Sequence, residues 1–173
     1  MSFCARLLHP SEPPLAALWS AIAAQARRPE WYLRCGVPDT LDGRFDVVAL
    51  LTALVLLELE ARGLRRETAW LTERFVDDME GSLRQLGVGD LVVGKHVGRM
   101  VGALGGRLGA VRAALAAPKP ATALEPVVVR NVWRAETAPP GVDPSALVAR
   151  LLDVRRRLAG LPDGDLLAGR LGN

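Results

Sequence analysis

Residues 89–96 read GDLVVGKH, a G-x-x-x-x-G-K run with the outline of a phosphate-binding loop. Such a loop needs a buried strand to deliver its glycines and backbone amides that converge on phosphate at a helix N-terminus. It also needs a Ser or Thr after the Lys to hold magnesium. Here the preceding segment, TERFVDDMEGSLRQLG, repeats its apolar residues at helical spacing, and His96 follows Lys95. The interior LVV reads as the first apolar turn of a helix. Nucleotide binding is therefore not expected.

Other reactive side chains are scattered. Glu73, Asp77 and Glu80 fall at i, i+4 and i+7, a spacing that holds a metal between helices when a facing helix adds His or Glu. No such residue is placed for it, so these read as a solvated face with an i,i+4 pair between Glu80 and Arg84. Cys4 and Cys35 form no C-x-x-C, and His9 and His96 form no cluster, so neither a disulfide framework nor a zinc site is expected. Ser20, Ser82 and Ser145 stand in no nucleophile motif. The chain reads as a non-enzyme without cofactor or metal. Trp19, Trp31, Trp70, Trp133 and Tyr32 read as packing residues rather than a ligand cage. The run Arg155, Arg156, Arg157 reads as a solvated face, with a membrane-surface or ribosome contact as the alternative.

The elements that must position these residues are helical throughout. With 173 residues, 50% hydrophobic and 24% charged, the chain has the composition of one globular domain, 1–173. A net charge of +3 gives no specific nucleic-acid signal. No secretion signal opens it, and the apolar run Val47–Leu57 is too short for a membrane span, so a cytoplasmic protein is expected. Helices are predicted from about Pro13 to Arg28, Glu30 to Arg34, Gly43 to Arg62, Arg66 to Leu86, Leu91 to Ala116 and Pro144 to Ala159. Gly63 and Gly87 close two of them, and Asp90 caps the fifth. The helix after Gly43 is apolar nearly all round and should be central. Leu71, Phe75, Met79, Leu83 and Leu86 make the inward stripe of the next. Pro-rich stretches at about 117–126 and 138–144 read as loops, and 127–134 between them as helical.

Within the fifth helix Gly94, Gly98, Gly102 and Gly106 recur every four residues, with Gly105 and Gly109 beside them. An interior helical Gly costs about 1 kcal/mol relative to Ala. Close packing against another helix in the core is the plain reading. A smooth surface that receives a partner, or a homodimer through the stripe, is the other.

Two blocks together carry a family resemblance. In the first, Tyr32, Gly36, Val37, Asp39, Thr40, Gly43, Arg44, Phe45 and Asp46 stand in YLRCGVPDTLDGRFD. In the second, FVDDMEGSLRQLGVGDLVVGK, stand Phe75, Asp78, Met79, Leu83, Arg84, Gly87, Val88, Gly89, Asp90, Leu91, Val93, Gly94 and Lys95. The chain resembles the ubiquinol–cytochrome c chaperone family over about 32–107, and more weakly at NVWR and DLLAGR. It departs from the family pattern at Thr52, Gln85, Leu86 and Leu104.

The resemblance implies an all-α assembly factor that holds nascent or newly inserted cytochrome b, peripheral at the inner face of the inner membrane. It makes GVGDLVVGK a motif for starting a helix. The candidate contact residues are Gly36, Val37, Asp39, Thr40, Arg44, Phe45, Asp78, Met79, Arg84, Asp90, Gly94, Lys95, Gly98 and Gly102. Arg44, Asp90 and Lys95 are expected to fix the loops through charge-assisted bonds. The competing expectation is a helical module with an apolar ligand (quinone, lipid or haem) in a pocket behind the central helix.

Overall fold

The computed structural model describes residues 15–85, 87 and 89–172. Among these the regular elements are helices: α1 (Ala16–Ala26), α2 (Glu30–Leu33), α3 (Leu41–Ala61), α4 (Arg65–Gln85), α5 (Asp90–Leu115), α6 (Pro120–Val128), a π-helical turn (Val129–Trp133), α7 (Pro144–Gly160) and α8 (Asp163–Leu167). No strand occurs among the described residues. The fold is all-α. The ends expected for the first helix at Pro13 and for α4 at Leu86 lie outside the described residues.

α3 is central because its sequence leaves no polar face along its middle. Val47, Leu50, Leu51, Leu54, Val55, Leu56 and Leu59 are all buried, and α1, α4, α5 and α7 pack around it. Burying one such side chain contributes about 1.5–3 kcal/mol. The surrounding helices each present one stripe: Leu18, Trp19 and Ile22 on α1, Leu71, Phe75 and Met79 on α4, and Leu147, Leu151 and Leu158 on α7. The ring of Trp19 meets Phe75 edge-on at 6.0 Å.

The ends of α3 are set by specific bonds. Thr40, in extended backbone, accepts the amide of Gly43 on its hydroxyl at 3.1 Å, so the helix starts at Leu41, two residues before the Gly43 expected from sequence. Just past its other end Gly63 takes a positive φ of 73°, the left-handed turn for which Gly is suited. Arg62 then ties α3 to α7, donating to the carbonyls of Leu158 at 2.7 Å and Leu161 at 2.8 Å.

Two local expectations are corrected. The stretch 117–126 is not a loop: α6 begins at Pro120, where a missing N–H costs nothing, and continues through Pro126. The helical reading of 127–134 holds, as the end of α6 and the π-helical turn. Asp90 does not cap α5; Gly89 occupies that position and Asp90 is the first helical residue.

Candidate functional site

The first block is built into the scaffold. Gly36 has a φ of 67°, and a Cβ there would sit 3.1 Å from Val142. Its carbonyl accepts the indole N–H of Trp133 at 3.0 Å. Val37 is buried in the core, so it is a packing residue and not the surface contact expected. Asp39 holds Arg44 at 2.7 Å, with both side chains half exposed, and the Arg44 guanidinium lies 5.6 Å over the Tyr32 ring. Of the three loop-fixing charges expected, Arg44 acts so; Lys95 is exposed and forms no such bond with the described residues, and the Asp90 side chain lies outside what the structure describes.

Beneath this loop lies a cluster that sequence reasoning did not single out. Asp46 has no exposed surface and Arg107 is 6% exposed. The Arg107 guanidinium donates to Asp46 Oδ1 and to the carbonyls of Ala103 at 3.3 Å and Asn131 at 3.2 Å. Arg134, left-handed at the end of the π-helical turn, donates to Asp46 Oδ2 at 3.0 Å. Burial pushes the Asp46 carboxyl above its ordinary value, against the pull of Arg107 and Arg134. Burial likewise draws Arg107 down, against the pull of Asp46. One carboxylate thus joins α3, α5 and the segment after α6.

Above the cluster is an apolar groove of 300 Å³ between α1, α3, α4 and the first half of α5. Tyr32, Leu41, Phe45, Met79 and Met100 line it, with Arg27, Asp42, Arg44 and Asp78 among its charged residues. Phe45 is its floor and the link to the cluster: Arg107 lies 5.4 Å over the Phe45 ring, which packs against Phe75 at 6.2 Å. Four of the candidate residues, Arg44, Phe45, Asp78 and Met79, therefore meet in one place. Thr40 caps the helix that carries two of them.

The other candidates do not join them. Arg84 pairs with Glu80 at 2.7 Å, the i,i+4 pair expected. Gly94, Gly98 and Gly102 are exposed, and a Cβ added at any of them would meet nothing within 4 Å. The core-packing reading of the glycine stripe is thereby overturned. The buried residues of α5, namely Val93, Leu104, Arg107, Val111 and Ala114, follow the 3.6-residue period on the face opposite the glycines. The stripe therefore looks away from the groove, not onto the loop 36–46. Behind α3, the cavity bounded by Ile22, Leu51, Val55 and Leu158 measures 20 Å³. That is room for about one water, and a quinone or haem does not fit there.

Among the described residues, no helix is long and apolar enough to cross a membrane. The profile of the Ubiquinol-cytochrome C chaperone family matches residues 33–172. The chain belongs to the ubiquinol–cytochrome c chaperone family. The match runs well past the 32–107 core expected from the two motif blocks and takes in Arg134 and α8. A solved structure, the Cbp3 homolog from Brucella abortus, is similar to it at 32% identity and a TM-score of 0.75, over 90% of this chain and 85% of that one. No curated protein matches the chain. In this family member the opening G-x-x-x-x-G-K run is the start of α5, preceded by a helix and not by a strand.

Proposed function

We propose that this chain is a non-enzymatic assembly chaperone of the ubiquinol–cytochrome c reductase complex, and that its client is newly made cytochrome b. The family match over 33–172 supports this reading, as does the likeness to the Cbp3 homolog. The chaperone holds an apolar client segment until partner subunits join, which calls for an open apolar surface on a rigid frame. The groove over Phe45 is such a surface. The chain works peripherally at the inner face of the membrane, where Arg155 and Arg156, both exposed on α7, favour anionic surfaces.

Co-isolation tests the reading. The tagged protein is expressed in its own host, membranes are solubilised mildly, and the co-purifying proteins are identified by mass spectrometry. Enrichment of cytochrome b free of its partner subunits is the expected result. Recovery of ribosomal or unrelated soluble proteins alone would remove cytochrome b as the client.

A further inference from the structure

Resting on the assembly-chaperone reading, we propose that the groove between α1, α3, α4 and α5 is the docking site for an apolar α-helical segment of the client that carries one basic residue. The groove is an open trough and not an enclosed cavity. Leu41 on its lip is 69% exposed, and Asp42, Arg44 and Asp78 on its walls are exposed as well. Small-molecule sites bury most of their ligand's surface, roughly 70–90%; a small molecule here would stay half wet. A helix about 10 Å across lays only one face into such a trough. The surface that would receive it is adaptable where it must follow an unfamiliar helix: Met79 and Met100 line it, and thioether side chains repack at little cost. Its floor is fixed where fixity helps, because Phe45 is held between Arg107 and Phe75, which lowers the ordering cost of binding.

Charge decides which helix fits. Arg44 is already paired with Asp39, and Asp42 faces Arg134 at 3.9 Å. Asp78, exposed on the α4 wall, has no partner among the described residues. Arg27 stands on the α1 wall. The trough is therefore negative at α4 and positive at α1. A helix with a Lys or Arg placed toward α4 pairs with Asp78 and docks in one direction, and one with an acid there is repelled.

Two experiments on the full chain test this. A photo-crosslinking side chain is introduced at Leu41 and, separately, at Gly98 on the outer face of α5, in a host with tagged cytochrome b. Leu41 should crosslink to cytochrome b and Gly98 should not. Crosslinking from Gly98 alone, or from neither while cytochrome b still co-isolates, overturns the groove and leaves the client intact. No crosslink and no co-isolation removes the client itself. In the second experiment, Asp78→Lys is titrated in mild detergent with a synthetic apolar peptide of about 20 residues bearing one lysine, and with the same peptide bearing glutamate. Affinity for the lysine peptide should drop roughly two- to fivefold, the range of an exposed ion pair, and affinity for the glutamate peptide should rise. An equal effect on both peptides, with unchanged melting of the protein, would overturn the basic-residue assignment.

Discussion

The two family blocks carry the same resemblance and differ in physical role. In the first, nearly every residue is pinned: Gly36 by Trp133 and Val142, Val37 by the core, Thr40 by the Gly43 amide and Asp46 by two arginines. In the second, the buried members Phe75, Met79 and Leu83 pack, but Gly87, Gly89, Gly94 and Lys95 are exposed, and a Cβ at any of the three glycines would meet nothing within 4 Å. A shared motif therefore does not mean a shared role. The first block and the α4 part of the second build the groove; of the open members, Gly87 is held to glycine by a φ of 78°, whereas Gly94 and Lys95 carry no such demand. Glycine shows the contrast most sharply. A Cβ on Gly43 would lie 1.9 Å from the Pro38 carbonyl oxygen, so no larger residue fits without moving the backbone.

Substitutions can break this contrast or sharpen it. Asp46→Ala should have the largest effect, because it leaves Arg107 buried without its carboxylate. Loss of one partner of a buried pair costs about 3–5 kcal/mol, read as a lower midpoint in urea unfolding. Next comes Gly43→Ala, expected to cost about 3 kcal/mol through the clash with Pro38; a melting temperature unchanged from wild type would show that the loop shifts freely. Smallest in size and opposite in sign are Gly98→Ala and Gly102→Ala, each of which should stabilise α5 by up to about 1 kcal/mol. Both positions have ordinary helical φ, outside the positive range. If these two variants melt higher yet assemble less reductase complex, the outer face of α5 is a contact surface in its own right. If assembly is untouched, the groove alone serves the client.

Much of the fold was legible because helical periodicity and glycine stops are local signals. The stripe Leu71, Phe75, Met79, Leu83 and the Gly63 stop were placed correctly for that reason. α6 was not, because Pro120 and Pro126 read as breakers, whereas one sits at the tolerated first position and the other is carried within the helix. The core-packing reading of the glycine stripe fails because a four-residue repeat identifies a face without saying which way it looks. The ion cluster escaped because its members lie 61 and 88 residues apart in sequence. A local hint did exist. Asp46 interrupts the otherwise apolar face of α3, and Arg107 falls at helical spacing between Leu104 and Val111, both buried. A charge on each of two buried faces asks for a partner.

That separation also sets a clock. Asp46 must wait for Arg134, 88 residues further along the chain. At ordinary translation speeds that interval is roughly 4 to 18 s. Until it ends, the carboxylate lacks its second cation, although Arg107, 61 residues on, is already made. The buried charge is thus satisfied late in the protein's own synthesis, after every residue that lines the trough has been made.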